Sequence, residues 1–489
     1  MITWGISANS HDAGLAVFND KKLVFASQSE RFSRNKNDPH LNASIVEYAK
    51  QWGEPNEVVW YEKPFRKTIR QLRAGQGWNL GENNIKNYLS RYGINAPISY
   101  VSHHLSHAAG GYFTSPFSDA TVVVIDSIGE FETLTVWEGS KDKLKKIYSQ
   151  SYPNSIGLWY SAMTQRIGLK PNEEEYILMG MAACGDPEKY KQIIYEDFFE
   201  ELRLHDPYIR FKHNLHRGCR WWRPELNTIQ DIADIAAGTQ AVYEMVFEHL
   251  IQQTLTLVGS RNIVLGGGCA LNCVANSIAH KYYNGNVWIM PNPGDSGSAV
   301  GCVLAHFNKR IKWNDTFLGY NIKGDYPIDK TIQELKDKGI CGIANGKAEF
   351  GPRALGNRSL LADPRGLHIK DRVNKIKQRQ QFRPFAPAIL DEFFERNFEG
   401  PKSEYMQFTA RCRNPKLYPA ITHFDNTSRV QSVRKNSNNG FRKLLEAWYK
   451  ETGCPMLLNT SLNIKGEPIV NTELDAKLFE EKYNTKVFT

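Results

Sequence analysis

Three histidines, at positions 103, 104 and 107, are the residues whose spacing most clearly suggests chemistry. His103 and His107 are four residues apart, so a helix that opens around residues 105–110 places both imidazoles on one face. Imidazoles on one face can bind the same ion. The alternative is a structural pair whose ring nitrogens are satisfied by hydrogen bonds in the core.

Two carboxylates extend this pattern. The apolar run 120–125 predicts a buried strand with Asp126 at its end, where α/β folds often place functional groups. Asp295 lies in the loop PNPGDSGSAVG. Two imidazoles with two carboxylates predict a site for iron, manganese or zinc rather than calcium or magnesium. Cys269 and Cys273 are alternative ligands, but their glycine-rich surroundings favour small core residues.

A second set of chemically suggestive residues lies in the last third of the chain. Glycines and prolines punctuate this region, so its cations are predicted in rigid loops, where guanidinium groups bind phosphate oxygens well. Four or five such contacts can hold a triphosphate and a second anion, and salt bridges with nearby acids are the alternative. The set comprises Arg353, Arg358, Lys377, Arg379, Arg383, Arg429, Asn459, Ser461 and Asn463.

The elements that must position these residues follow from hydrophobic patterns. Residues 1–20 predict a β-hairpin with His11 and Asp12 at its tip. Residues 229–258 predict a long helix and residues 262–268 a strand. The glycines at 266–268, followed by a helix over 270–279, are typical of a phosphate-binding turn. The polar stretch 311–330 predicts a domain boundary.

Composition limits the function classes. A chain of 489 residues has room for two or three domains, and eight cysteines without a CxxC pair are expected to be reduced. We expect a cytoplasmic protein, because no basic leader and no long apolar span is present. The net charge of +9 is compatible with nucleic acid or with phosphorylated small molecules. Arginines and tryptophans alternate at 216–225, which indicates base stacking or a mobile substrate lid.

Eleven ordered motifs span nearly the whole chain and resemble those of the NodU/CmcH family of O-carbamoyltransferases. The motifs are GISANSHDAG, SQSERFSRNK, HHLSHAA, DSIGE, LMGMAACG, GGGCALN, GDSGSAVG, GPRALGNRS, FRPFAP, TSRVQ and NTSLNIKGEP. The resemblance implies an α/β protein with an actin-like ATPase (Kae1-like, ASKHA) fold at 1–320, followed by a YrdC-like α/β domain at 321–489.

The resemblance also implies an activity. The YrdC-like domain makes carbamoyl adenylate and pyrophosphate from carbamoyl phosphate and ATP, with Mg²⁺ accompanying the ATP. The Kae1-like domain holds Fe(II) or another divalent transition metal, transfers the carbamoyl group to an acceptor hydroxyl and releases AMP. The expected acceptor is a sugar, a nucleoside or a natural-product-like molecule. No membrane partner is expected, and a homodimer is one option for the oligomeric state.

Matching positions give the roles of single residues. The resemblance implies His11 as the base of the transfer step, with Asp12 orienting it or contacting the metal sphere. It implies His103, His107, Asp126 and Asp295 as the metal ligands. The implied nucleotide contacts are Gly267, Gly268 and Asn272. The implied anion-binding residues are Arg353, Lys377, Arg383, Arg429, Ser461 and Asn459, with Arg353 and Lys377 taking part in adenylate formation.

Two other functions stay open at this level. The same two folds, as separate proteins, modify tRNA through threonylcarbamoyl adenylate, and the stretch 216–225 is compatible with a polynucleotide. A non-enzymatic actin-like nucleotide switch is the other alternative, although it has no need of the arginine-rich last third. The single chain with both folds favours carbamoyl transfer to a small molecule.

Overall fold

The computed structural model describes residues 1–75, 77, 81–366, 368–383, 385–437 and 439–489. It divides the chain into two compact units. The first unit contains Met1–Ser29 and Asn37–Asn314, and the second contains Glu30–Lys36 and Asp315–Thr489. The second unit begins before the predicted position of 321, because the strand Phe317–Ile322 pairs with Gly346–Glu349. It also takes in a short segment from the N-terminal part of the chain.

The strands are numbered along the chain. Those of the first unit are β1 (Ile2–Ser7), β2 (Gly14–Asn19), β3 (Lys22–Gln28), β4 (Glu57–Trp60), β5 (Ile98–Tyr100), β6 (Asp119–Gly129), β7 (Glu132–Ser140), β8 (Lys143–Ser151), β9 (Phe199–Leu202), β10 (Ile209–Phe211), β11 (Ile263–Gly266) and β12 (Val287–Ile289). Those of the second unit are β13 (Phe317–Ile322), β14 (Ile340–Ala344), β15 (Gly346–Glu349), β16 (Arg358–Ala362), β17 (Ala386–Leu390), β18 (Phe398–Glu399), β19 (Ala410–Cys412), β20 (Thr427–Ser428), β21 (Gln431–Val433), β22 (Met456–Ser461) and β23 (Val487–Phe488).

The α-helices are numbered in the same way. They are α1 (Glu30–Ser33), α2 (Ala43–Ala49), α3 (Pro64–Arg73), α4 (Ile85–Ser90), α5 (His103–Thr114), α6 (Ile156–Arg166), α7 (Glu175–Met181), α8 (Pro187–Phe198), α9 (Ile229–Val258), α10 (Cys273–Tyr282), α11 (Ser298–Phe307), α12 (Ile328–Lys338), α13 (Ile369–Ile376), α14 (Phe394–Asn397), α15 (Asn439–Thr452) and α16 (Glu473–Tyr483).

Two five-stranded sheets of the first unit share one topology. In the first sheet β1, β2 and β3 are antiparallel neighbours, and β4 and β5 run parallel to β1 on its other side. In the second sheet β6, β7 and β8 are antiparallel neighbours, and β11 and β12 run parallel to β6 on its other side. This duplicated arrangement is that of the actin-like α/β fold, so the predicted fold of the first unit is confirmed.

Glycines allow the helices beside these sheets to pack closely. A Cβ atom on Gly301 of α11 would lie 1.9 Å from the carbonyl oxygen of Ser106 in α5. A Cβ atom on Gly5 of β1 would lie 1.9 Å from the carbonyl oxygen of Ala299. Such distances are far below van der Waals contact, so α11 reaches both β1 and α5 only because these positions lack side chains. This close packing brings the start of α11 next to α5.

Several predicted elements have their expected bounds. The hairpin of β1 and β2 is present, and α9 covers the predicted helix from Ile229 to Val258. A capping box of Thr228 and Asp231 starts α9, and Gly259 in the left-handed conformation ends it. The helix predicted over 270–279 begins later, at Cys273, because the preceding residues form a 3₁₀ turn that Asn272 separates from the helix.

The second unit is built on a six-stranded sheet with the strand order β21-β17-β22-β16-β14-β23. The middle residues of its central strands are apolar and buried, as Leu361 of β16 and Leu457 of β22 illustrate, and α12 and α15 pack on the sheet through Leu335 and Leu444. This unit is therefore α/β, as predicted. Pro384 of the FRPFAP motif lies outside the described residues. Within the described ranges, no helix has the length and apolarity that spanning a bilayer requires.

Candidate metal and anion sites

Four side chains with the predicted metal-ligand pattern meet in the first unit. Their donor atoms, one each from His103, His107, Asp126 and Asp295, all lie within 4.8 Å of one another. The two Nε2 atoms of the histidines are 3.0 Å apart. His103 Nε2 lies 2.9 Å from Asp126 Oδ2, and His107 Nε2 lies 3.3 Å from Asp295 Oδ1. All four residues are buried. We call this group the metal cluster.

Local structure explains why α5 delivers both imidazoles. Helix α5 begins at His103, so His107 lies one turn later on the same face. The N-cap Ser102 makes no side-chain cap bond, and Glu130 takes its place: its Oε1 accepts from the backbone N–H of His103 at 3.3 Å and from that of Lys63 at 2.7 Å. A carboxylate at a helix N-terminus is favourable. Glu130 therefore fixes the end of the helix from which His103 projects.

Asp126 and Asp295 reach the cluster from two connections. Asp126 follows the buried run of β6, and its Oδ1 accepts from the backbone N–H of Gly268 at 3.3 Å. Asp295 lies in the 3₁₀ turn directly before α11. The glycine turn is thus next to a metal-cluster carboxylate. Gly267 has φ +83°, and a Cβ there would lie 2.3 Å from the carbonyl oxygen of Ile125, so only glycine fits.

Contacts behind the cluster orient its rings. Nδ1 of His107 lies 3.2 Å from Oγ of Ser298 in α11, so a donated Nδ1–H leaves Nε2 free to bind an ion. A Cβ on Gly129 would lie 2.2 Å from His103 Cδ2, which shows how closely β6 covers that ring. His104 points elsewhere: its Nδ1 lies 2.9 Å from Thr135 Oγ1, and burial lowers its pKa to about 3.

Asp295 and His107 of the metal cluster stabilise each other's charged forms. Burial alone would raise the pKa of Asp295, but the charge of His103 and a hydrogen bond from His107 hold it well below its usual range. Burial would lower the pKa of His107, yet its contacts with Asp126 and Asp295 raise it to about 9. Two carboxylates this close need positive charge between them. A protonated imidazole or a bound cation can supply that charge.

The tip of the N-terminal hairpin lies beside the metal cluster. Nε2 of His11 is 3.9 Å from Asp295 Oδ2, and its side chain is 51% exposed. Asp12 Oδ2 accepts a hydrogen bond from Ser296 Oγ at 3.2 Å, on the turn that carries Asp295. Both residues therefore lie next to the metal cluster, and the His11 side chain is accessible from solvent.

The sheet of the second unit gathers most of the predicted anion-binding residues at one end. The start of β16 lies beside the end of β22, where Ser359 pairs with Ser461. The start of β17 lies there as well, since Ala386 pairs with Asn459, and β21 starts next to β17. Arg353, Arg383 and Arg429 precede these three strand starts by a few residues, and Ser461 ends β22. We call this end the basic sheet end.

The contacts of Lys377 show how the basic sheet end is organised. Its Nζ donates to the carbonyl oxygens of Ser461, at 2.5 Å, and Asn463, at 2.8 Å, and to Asn463 Oδ1, at 2.9 Å. Burial, together with the charges of Arg379 and Arg383, holds the pKa of Lys377 well below its ordinary value. In this arrangement the ammonium group fixes the end of β22. Direct contact with an anion requires one of these oxygens to be released.

Other predicted residues differ in whether their polar groups are already engaged within the second unit. Arg358 is fully buried and donates to five backbone carbonyl groups, including those of Asn471 and Tyr320, so it supports the fold. Asn459 donates to the carbonyl oxygen of Ala354 at 3.1 Å. In the described part of the chain, Nε of Arg429 is buried and has no hydrogen-bond partner. An anion is the natural partner for such a group.

Two family models match the chain, one in each of its two units. Residues 57–304 match the model for the carbamoyltransferase N-terminus, and residues 332–488 match the model for the carbamoyltransferase C-terminus. The chain belongs to the carbamoyltransferase family. The predicted NodU/CmcH resemblance is confirmed, and the protein is an enzyme that transfers a carbamoyl group. The first match contains the metal cluster, and the second contains the basic sheet end.

Full-length relatives support the assignment to the carbamoyltransferases. The chain is 33% identical to the uncharacterized protein sll1178 of Synechocystis sp., over 96% of this chain and 93% of that protein. It is 29% identical to the nodulation protein NolNO of Sinorhizobium fredii, over 95% and 76%. It is 28% identical to the 3′-hydroxymethylcephem-O-carbamoyltransferase of Amycolatopsis lactamdurans, over 96% and 95%.

Three predicted features of the carbamoyltransferase can be compared with their observed contacts. Asn272 caps α10 through Ala275, and its Nδ2 donates to Gln240, so its amide is already engaged. Cys269 and Cys273 are not members of the metal cluster. In the stretch 216–225, Trp222 is buried and its Nε1 donates to Asp197, which disfavours a mobile lid. Trp221 remains 55% exposed.

Sequence reasoning missed residues that act through other residues. Ser298 and Glu130 contact metal-cluster histidines, but a lone serine or glutamate has no characteristic spacing. The signal for Ser298 was its place within GDSGSAVG, three residues after Asp295. The segment Glu30–Lys36 was visible only as the motif SERFSRNK, and its place in the second unit depends on contacts between residues far apart in the chain.

Proposed function

We propose that the chain is an ATP-dependent O-carbamoyltransferase that makes carbamoyl adenylate and passes its carbamoyl group to a hydroxyl group. The observation that carries the proposal is the basic sheet end, where Arg353, Arg383 and Arg429 precede neighbouring strand starts. Arginines fixed by a sheet suit phosphate oxygens, and each charge-assisted hydrogen bond contributes about 1.5–3 kcal/mol. ATP and carbamoyl phosphate are the anions that this chemistry needs.

In the first half-reaction, carbamoyl phosphate and water give carbamate and phosphate. A carbamate oxygen then forms a bond to the α-phosphorus of ATP, and the bond to the leaving pyrophosphate breaks. Arg353, Arg383 and Arg429, which lie a few residues before neighbouring strand starts, would offset the negative charge on the phosphoryl oxygens. Lys377 keeps Ser461 in position through the contacts described above.

The metal cluster fits a divalent transition metal, and iron is the expected ion. Nitrogen and oxygen lone pairs converge on one point, and two Nε2 atoms 3.0 Å apart cannot both carry a proton between them. Imidazole and carboxylate donors suit iron, manganese and zinc. A bound ion supplies Lewis acidity that polarises a carbonyl or phosphoryl oxygen. His103, His107, Asp126 and Asp295 would hold it.

In the second half-reaction, the acceptor oxygen bonds to the carbamoyl carbon, the bond from that carbon to the adenylate oxygen breaks, and AMP leaves. His11 takes the hydroxyl proton, because it is accessible and lies beside the metal cluster. Asp12, held by Ser296, keeps the tip of the hairpin in place. Gly267 and Gly268 form the turn ahead of α10 at which the nucleotide would bind, and their own N–H groups hold that turn by donating to the carbonyl oxygen of Pro293 and to Asp126 Oδ1. The relative that acts on a hydroxymethylcephem supports a small-molecule acceptor with a primary hydroxyl.

Pyrophosphate release from ATP tests this proposal. The enzyme should release pyrophosphate when carbamoyl phosphate is present and should not do so with threonine and bicarbonate. Mass spectrometry of a panel of hydroxyl compounds should then show one that gains a single carbamoyl group. Release that requires threonine and bicarbonate would instead assign the chain to threonylcarbamoyl adenylate chemistry, and no release under either condition would refute adenylate formation.

A further inference from the structure

The short segment Glu30–Lys36 belongs to the second unit, although nearly 280 residues of the first unit separate it from the rest. The segment contains α1, whose Arg31 is only 1% exposed. Nη2 of Arg31 donates to the carbonyl oxygen of Gly351 at 2.8 Å. Gly351 opens the loop that carries Arg353. A buried guanidinium group thus contacts the chain two residues before a predicted anion ligand.

The far side of this loop is held by one carboxylate. Oε1 of Glu349 accepts from the backbone N–H groups of Leu355, Asn357 and Arg358, at 2.7, 2.9 and 3.3 Å. Just before them, the carbonyl group of Ala354 accepts from Asn459. Residues 354–358 are therefore fixed from within the second unit.

The near side of the loop depends on Gly351. Its φ of +141° belongs to a region that glycine alone adopts readily, so the peptide after it can turn in several directions. Pro352 has a fixed φ, so the direction of the peptide between Gly351 and Pro352 determines the direction of the chain at Arg353. The orientation of the Gly351 carbonyl group consequently determines the position of the Arg353 backbone. Arg31 holds that carbonyl group.

A second arginine of the segment provides an internal comparison. Arg34 donates to the carbonyl oxygens of Ile469 and Pro468, at 2.7 and 2.9 Å, and its Nε lies 3.5 Å from Asp475 Oδ1. It has a positive φ of +61°, which costs a non-glycine residue some strain. Its contacts dock the segment on residues 468–475 and not on Gly351. Arg31 therefore contacts Gly351, and Arg34 attaches the segment to residues 468–475.

We propose that Arg31 is a positioning residue for Arg353, so that anion binding at the basic sheet end depends on the segment Glu30–Lys36. It acts through the Gly351 carbonyl group and does not itself touch the substrate. The kinetic part of this inference rests on the proposed function, because it assumes that Arg353 binds carbamoyl phosphate or ATP. The structural part, the position of the 351–358 loop, does not.

The test compares full-length Arg31→Ala with Arg34→Ala by hydrogen exchange and by kinetics. In Arg31→Ala, amides in peptides that cover 351–359 should exchange at least severalfold faster, while those that cover 468–475 keep the wild-type rate. Its KM for carbamoyl phosphate in pyrophosphate release should rise at least about tenfold, as expected for a lost charge-assisted contact. Arg34→Ala should show faster exchange at 468–475 and a KM within about twofold of wild type.

Two controls make the outcome decisive. Metal content should equal that of the wild type in both variants, since the metal cluster lies in the first unit. If Arg31→Ala does not fold, Arg31→Lys replaces it, because the shifted donor should still speed exchange at 351–359. Unchanged exchange at 351–359, or an equal KM increase in Arg34→Ala, overturns the proposal. Absence of carbamoyl-phosphate-dependent activity in the wild type refutes the proposed function instead, and the exchange data then still decide the role of Arg31.

Discussion

Replacing the histidines of α5 one at a time separates metal binding from packing. His103, His104 and His107 are all buried within the first two turns of one helix, so His104 is a matched control. His103→Ala and His107→Ala each remove one of four converging donors. His104→Ala removes only the contact with Thr135, which lies outside the cluster. We expect about one metal ion per chain in the wild type and in His104→Ala, and almost none in the other two.

The size of the effect follows from the ligand count. Loss of an outer-shell partner alone typically weakens metal binding about tenfold to a hundredfold, so loss of a direct ligand should cost at least a hundredfold. With free metal at about 100 times the wild-type Kd, binding stabilises the wild type by about 2.7 kcal/mol. The same concentration stabilises a variant with hundredfold weaker binding by only about 0.4 kcal/mol.

Elemental analysis and thermal unfolding with and without added metal measure these quantities. The increase in Tm on metal addition is compared within each variant, so the lost Thr135 contact does not enter the comparison. Equal metal content in all three variants, or an equal Tm increase, would remove His103 and His107 from the site. The histidines would then be structural.

Three further predictions concern single positions. Ser298→Ala should weaken metal binding about tenfold to a hundredfold, because His107 loses the group that orients its ring. The control variant Ser296→Ala should bind metal with wild-type affinity. Equal metal affinities of the two variants by titration would contradict this role of Ser298. Gly129→Ala should abolish metal binding, because its Cβ would lie 2.2 Å from the His103 ring. The control variant Gly180→Ala, which has open space around its Cβ, should bind metal as the wild type does. Full metal content in Gly129→Ala would show that the His103 ring can move. Leu361→Ala, at a fully buried site in β16, should lower the free energy of unfolding of the second unit by about 2–5 kcal/mol in denaturant unfolding. A decrease of less than about 1 kcal/mol would mean that the surrounding core closes the cavity.

Residue type and spacing were sufficient to find the metal cluster. His103 and His107 follow from helical spacing, Asp126 from a strand end, and Asp295 from the glycine-rich loop PNPGDSGSAVG. Ser298 and Glu130 could not be predicted, because a residue that orients another has no pattern of its own. The basic sheet end was predicted as a set of cations, but the sequence could not separate Arg353 from Arg358, which is buried and binds backbone carbonyl groups.

The fold was predictable as a class but not in its internal symmetry. The hairpin of β1 and β2 and the long helix α9 were recognisable from local patterns. The two matching sheets were not, because they share the order of strands and not a sequence period, and the segments that connect corresponding strands differ in length. The place of Glu30–Lys36 in the second unit likewise depends on contacts that no local pattern contains.

The central claim is that the second unit forms carbamoyl adenylate and the first unit transfers its carbamoyl group. The most direct test measures carbamoyl-phosphate-dependent pyrophosphate release and acceptor carbamoylation in His11→Ala and Arg353→Ala, side by side with the wild type. His11→Ala should release pyrophosphate but leave the acceptor unmodified, because only the base of the transfer step is lost. Arg353→Ala should do neither, because the anion that starts the reaction is no longer aligned. Loss of pyrophosphate release in His11→Ala, together with its retention in Arg353→Ala, would contradict the assignment of the two half-reactions.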